Sequence, residues 1–364
     1  MKRLGALILL LAAATAAGFV GGARALADTA EGGPAWKLDL RPSGYSDEDF
    51  TAPDAITAAD QIAFGSPEEL VVVRDTGVAR KPIQVRAFVI NAVSGKLTGR
   101  QEWTRRNGPA NIHATAHGTY LAYTSDGQAV FTAGLERTER ISQAVRMVSP
   151  DGCYFTTSEA VPGHAITRFF DAASFDPTGT EFVNMTVDSI AADRIAYMAV
   201  QGDKRRVAVV ETAQSRAYPF STTCKVIQPR FISDGVLAVF GCNRLDVVTI
   251  SGDSLFSTDI ERETRWMAVA SRDGSRFAIQ SPHLGGGEFT RIQSETVRVF
   301  DVEQRREVFA TAVQERHGRK GESGVALSPD GKALAVNSVG IVQYFRLPPK
   351  TGSSTSQPEK KGDS

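Results

Sequence analysis

The sequence predicts an all-β fold, a seven-bladed β-propeller made of four-stranded antiparallel blades, and three observations predict it. The first is a recurring motif: an apolar run, a Ser-x-Asp-Gly turn, and a second apolar run. It is clearest in "SGVALSPDGKALAVNS" from Ser323, "AVRMVSPDGCYFTTSE" from Ala144 and "WMAVASRDGSRFAIQS" from Trp266. Ser suits the first position of a type I turn, Pro presets the second, and Gly tolerates the exit. The second is spacing. "IQPRFISDGVLAVFGC" from Ile227 keeps part of the turn, and "IAFGSPEELVVV", "IHATAHGTYLAYT" and "VDSIAADRIAYMAV" keep only the pattern. The turn centres Pro67, His117, Asp151, Asp193, Asp234, Asp273 and Asp330 lie 34 to 57 residues apart, with a mean of about 44. The third is a further strand-like run after each hairpin, such as "RVAVVET" from Arg206 or "TVRVFDV" from Thr296, often with a fourth such as "REVFAT". Long helical periodicity is absent, and Val, Ile, Phe and Thr are frequent in the runs.

Taken in chain order, residues 1–27 read as a bacterial secretory signal peptide. Lys2 and Arg3 precede an apolar stretch from Leu4 to Val20, and Ala25-Leu26-Ala27 offers a cleavage site. A membrane anchor is the alternative, for which the apolar run is slightly short. Cleavage removes Lys2, Arg3 and Arg24 and leaves 38 basic residues against 41 acidic ones, a net charge of −3. No basic field for nucleic acid or anionic lipid results. Residues 28–348 form the expected propeller domain. The last copy lacks a fourth strand, while Ala35–Pro42 precedes the first copy without a hairpin of its own. Pairing the two closes the ring and removes an adhesive sheet edge; the alternative is a disordered leader. Residues 349–364 are polar and read as a disordered tail.

"ALSPDGKALAV" with "VRVFDVEQRREV" resembles the WD-repeat-like and TolB-like propeller superfamily, including the YVTN repeat group of exported bacterial proteins. The resemblance covers most of the mature chain and is strongest from Trp266 onward. It implies the fold and leaves function open. Phe300-Asp301 stands where strict WD repeats have Trp-Asp, so the buried hydrogen-bond network of that family is not to be expected here.

Export permits disulfides, and three cysteines leave at least one unpaired. Cys224 and Cys242 lie symmetrically about Ser233, which predicts near-opposite neighbours in one hairpin and a bridge between them; two separate small core residues are the alternative. Cys153 reads as a buried free thiol.

The repeat points to two candidate binding regions. Turns of the Ser-Pro-Asp-Gly type share one face of the disc. Longer insertions, from Arg74, Glu102, Ser158, Ser281 and Gln314, fall on the other, where repeat proteins place binding surfaces. There His283, Arg291, Arg316, His317, Arg319 and Lys320 form a positive cluster, either a docking site for an acidic partner or a set of solvated loops. Three residues before the turn, consecutive copies carry Arg146, Asp188 and Arg230 on inner strands lining the central channel. They form either an inter-blade ion pair or a site for a small anion.

No metal-ligand spacing, phosphate loop, Gly-x-Ser-x-Gly or calcium loop is present. No catalytic residue, cofactor or metal is therefore expected. The reading is an exported, non-catalytic propeller, periplasmic or secreted, that binds a protein or cell-envelope ligand and has no membrane anchor after cleavage. A propeller-type enzyme such as a lactone hydrolase, with its site at the channel mouth, is the alternative.

Overall fold

Each recurring motif folds into the hairpin that its turn chemistry dictates. In three copies the turn is bonded identically. The Ser149, Ser271 and Ser328 hydroxyls donate to Asp151, Asp273 and Asp330 at 2.5, 2.7 and 2.7 Å, and each hydroxyl accepts the amide five residues on. Gly152, Gly274 and Gly331 exit these turns at φ +74, +65 and +67°, and a Cβ on any of them would fall within 3.0 Å of the preceding blade's turn. Glycine thus serves both the left-handed backbone and the close approach of neighbouring blades.

The computed structural model describes residues 33–45, 61–76, 83–105, 112–141, 145–201, 204–211, 215–222, 224, 226–262, 264, 267–285, 291–319 and 323–350. The expected signal peptide, the 28–32 start of the expected domain and the tail beyond residue 350 lie outside the described residues.

Strand β1 (Trp36–Asp39) comes first. Blade 1 is β2 (Gln61–Ser66), β3 (Glu69–Thr76), β4 (Ile83–Asn91) and β5 (Lys96–Arg105). Blade 2 is β6 (Ile112–Ala114), β7 (Tyr120–Thr124), β8 (Gly127–Phe131) and β9 (Arg137–Ile141). Blade 3 is β10 (Val145–Val148), β11 (Tyr154–Val161), β12 (His164–Asp171) and β13 (Pro177–Val183). Blade 4 is β14 (Ser189–Ala191), β15 (Arg194–Gln201), β16 (Lys204–Glu211) and β17 (Ser215–Thr222). Blade 5 is β18 (Gln228–Ser233), β19 (Val236–Gly241), β20 (Arg244–Thr249) and β21 (Ser254–Asp259). Blade 6 is β22 (Val269–Ala270), β23 (Arg276–Gly285), β24 (Arg291–Asp301) and β25 (Arg306–Arg319). Blade 7 is β26 (Gly324–Leu327), β27 (Ala333–Ser338) and β28 (Ile341–Arg346), completed by β1 in the order β1-β28-β27-β26.

Closure by the N-terminal strand is therefore observed. Trp36 pairs with Tyr344 and Asp39 with Ile341 in an antiparallel ladder. The Trp36 ring stacks on Tyr344 at 5.0 Å, and its indole N–H donates to Ala92 O in blade 1 at 2.9 Å.

The apolar residues sort into seven clusters, one at each blade-to-blade junction. Strand β3 shows why. Leu70 and Val72 pack toward blade 7, while Val71 and Val73 pack toward blade 2. Both sides of the sheet are covered, so the strand is continuously apolar, and no blade can hide its two faces alone.

One buried ion pair joins two blades. Arg276 is 0% exposed and Asp301 2%. Arg276 Nε donates to Asp301 Oδ2 at 3.0 Å, and its two terminal nitrogens donate to Gly331 O at 3.0 Å and Pro348 O at 2.8 Å. Asp301 also accepts the Gln304 amide at 2.9 Å. The network ties blade 6 to blade 7. Lys350 Nζ donates to Asp273 Oδ2 at 2.6 Å.

Candidate functional site

The two ends of the channel differ in chemistry. At one end lie the seven hairpin turns between first and second strands, the turn face. At the other lie the connections between second and third strands and between blades, the loop face.

On the loop-face side, the three charges read as equivalent do not converge. Arg146 is the extra residue of a β-bulge in β10, where Val145 pairs with Thr157 and Met147 with Thr156. The bulge takes it out of the ladder and leaves it exposed. Counting back from the turn assumed an unbroken ladder. Asp188 and Arg230 do interact. Burial lowers the Arg230 pKa and Asp188 opposes that shift. Asp188 is half-buried and also accepts the Met198 amide at 3.0 Å.

The positive cluster expected on loops sits largely on strands. His283 is on β23, Arg291 on β24, and Arg316, His317 and Arg319 on β25. Lys320 lies outside the described residues. Glycine, proline and polar content suggested loops, but the blade core already aligns these segments, and the ladder runs on to Gly285 paired with Arg291. Ser294 pairs with Gln314 and Ile292 with Arg319, so residues 315–318 bulge out against Gln293. His283 faces an acid rather than adding to a positive field: its Nδ1 lies 3.5 Å from Glu261 Oε2, and its Nε2 2.8 Å from Thr296 Oγ1. The stretch from Ser158 is likewise strand, on β11 and β12.

In blade 5 the sulfur atoms of Cys224 and Cys242 are bonded, with Cα atoms 5.5 Å apart. The geometry is not that of opposed strand residues. Cys224 precedes β18, and Cys242 occupies the left-handed turn between β19 and β20 at φ +48°. The bridge clamps the 224–227 segment onto that turn, where a Cβ at Gly241 would meet Ile227, Val226 and the Cys224 sulfur. Closing a separation of 18 residues stabilises the fold by about 3 kcal/mol. A Cys224→Ser, Cys242→Ser variant should lose that amount in chemical denaturation, and added reductant should shift only the parent protein.

The turn-face mouth is acidic. Cys153 there is half-buried, not buried as expected, and desolvation with Asp151 beside it pushes the thiol up to about 11. Asp234 is pushed upward by burial and by Asp151. Asp193 acts on Asp234 as well, and Arg194 offsets both: its guanidinium lies 3.8 Å from Asp193 Oδ1 and donates to Asp234 O at 3.1 Å.

Sequence reasoning missed Arg272. It occupies the second turn position, which is Pro150 and Pro329 in the sister turns. That substitution was the available signal. Its guanidinium leaves blade 6, passes blade 7, and donates to Phe64 O at 2.7 Å and Gly65 O at 3.0 Å on β2 of blade 1. Among the described residues, no group of three or more His, Cys, Asp or Glu is placed to hold a metal ion.

No protein-family model matches this chain, and no curated protein matches it. Among solved structures, Hsv2 from Kluyveromyces lactis is similar at 13% identity, covering 77% of this chain and 90% of that one, with a TM-score of 0.42. A TolB-like protein from Agrobacterium tumefaciens is similar at 12% identity, covering 72% and 98%, with a TM-score of 0.42. The fold itself, seven four-stranded antiparallel sheets in a ring, is that of a β-propeller. Likeness of this strength says nothing of ligand or activity.

Proposed function

We propose that this is an exported, non-catalytic propeller of the bacterial cell envelope whose loop face binds a protein partner. The observation that carries the reading is a set of exposed apolar side chains on that face. Val183, Val200, Val226 and Met267 are 51, 59, 51 and 52% exposed. They stand at the loop-face ends of blades 3, 4, 5 and 6 in succession. Val200 and Val226 are near neighbours, because the Ile227 amide lies 3.5 Å from Met198 Sδ. Two further exposed apolar residues, Val93 and Leu97, lie at the β4–β5 turn on the other face; single exposed apolar residues are ordinary, but four on successive blades of one face support an interaction surface there. The disulfide fits the same reading twice: it suits an oxidising compartment, and it pins the segment bearing Val226.

Export is supported by Lys2, Arg3, the apolar run and Ala25-Leu26-Ala27. Among the described residues no helix is long and apolar enough to cross a membrane.

The full chain expressed in a bacterial host should appear in the periplasm or medium with a new N-terminus at Asp28. Cross-linking in intact envelopes should capture a protein partner, and Val200→Glu with Val226→Glu should abolish that capture while leaving the melting temperature unchanged. A chain retaining residues 1–27 in the cytoplasm, or capture indifferent to both substitutions, would overturn the proposal.

A further inference from the structure

The two halves of the Cys224–Cys242 bridge are held in different ways. Cys242 belongs to the blade itself. It is exposed in the β19–β20 turn, Gly241 pairs with Arg244 around it, and the Ile260 amide donates to Asn243 O at 2.8 Å. Cys224 precedes the blade-5 ladder, whose first pair is Gln228 with Phe240. Just before that pair, the Ile227 amide donates to Met198 Sδ at 3.5 Å, and a thioether sulfur is a weak acceptor. Cys224 and Ile227 are buried, and they pack in one cluster with Val207 and Val209 of blade 4. Breaking the S–S bond therefore leaves the turn in place and removes the covalent hold on residues 224–227. Apolar packing still favours the docked position, so the segment alternates between docked and free. It carries Val226, one of the exposed apolar residues of the loop face.

We propose that the bridge is a redox latch: a dithiol opens it, residues 224–227 loosen, and the loop face loses affinity for its partner. The last step rests on the loop-face reading given above; the first two do not. A thiolate of the dithiol attacks the sulfur of the exposed Cys242, the S–S bond breaks, and Cys224 leaves as a thiolate that takes up a proton. The second thiol of the reagent then attacks the mixed disulfide and releases Cys242 as a thiol. The protein gains two electrons and two protons, and the dithiol becomes a disulfide. Cys153 takes no part, because it lies at the β10–β11 turn on the opposite face. Affinity falls because a segment that was already ordered must now be ordered on binding.

The test treats the mature protein with dithiothreitol and no denaturant. Alkylation and mass spectrometry should then count three modified cysteines, against one in the untreated protein. Hydrogen exchange should quicken roughly 10-fold over residues 224–228 and stay unchanged in β19 and β20, with the circular dichroism of the ring preserved. In permeabilised envelopes, Cys224→Ser with Cys242→Ser should capture the cross-linked partner with about 10-fold lower affinity than the parent. Should that variant not fold, the reduced and alkylated parent replaces it. A bridge that resists dithiothreitol in the folded protein would overturn the proposal. So would exchange that does not change, exchange that quickens throughout blade 5, or capture that is equal with and without the bridge. If the parent itself captures nothing, the loop-face reading fails, and reduction and exchange alone decide whether the latch exists.

Discussion

Replacing Asp301 with alanine should destabilise the protein by about 3–5 kcal/mol, the largest single-residue effect expected here. The reason is the fate of Arg276. Its side chain is fully buried, and its nearest counter-charge is the Asp301 carboxylate at 3.0 Å. Removing the carboxylate leaves a desolvated guanidinium with only the carbonyls of Gly331 and Pro348. Those two bonds also come from the next blade and the chain end, so the junction between blades 6 and 7 should loosen with it. Urea denaturation measures the loss. Replacing both partners, Arg276→Met with Asp301→Leu, should be far milder than the single change, because no charge is then stranded. A single variant as stable as the parent would show that the junction does not depend on the pair.

The second large effect concerns ring closure. Leu40→Ala should cost about 2–5 kcal/mol, since Leu40 is 0% exposed in the core between blades 7 and 1. Removing the closing segment entirely should do more. A chain starting at residue 46 loses β1, the Trp36–Tyr344 stack and Tyr45, which packs at 5.9 Å from Phe88. Strand β28 then becomes an open edge beside an uncovered core, a template for aggregation. Size-exclusion chromatography should show the truncated chain as oligomers or aggregate. A monomeric, cooperatively melting product would mean that closure is dispensable.

Much of the ring could be read from the chain, because its signals are local. A Ser-x-Asp-Gly turn carries its own hydrogen bonds within six residues, so Ser149, Ser271 and Ser328 announce their hairpins without help from elsewhere. The mean spacing of those hairpins sets blade size. The missing last strand and the unpaired Ala35–Pro42 segment point to each other because an open edge is unfavourable. The candidate sites were less accessible. Arg146 looked equivalent to Asp188 and Arg230 by counting, yet one inserted residue redirected it, and bulges have no fixed sequence sign. The segments around His283, Arg291 and Arg316 have the composition of loops, but strand pairing depends on the partner already in place. Arg272 finds its acceptors 207 and 208 positions away in the chain.

Turn chemistry, alternation and period act between near neighbours, and these residues therefore dictate seven blades and the strand that joins them. Contacts across the axis, the bulge at Arg146 and the Arg276–Asp301 tie arise from segments distant in the chain. They become fixed when seven sheets are forced into register around a common centre, where free energy depends on which groups are left without water.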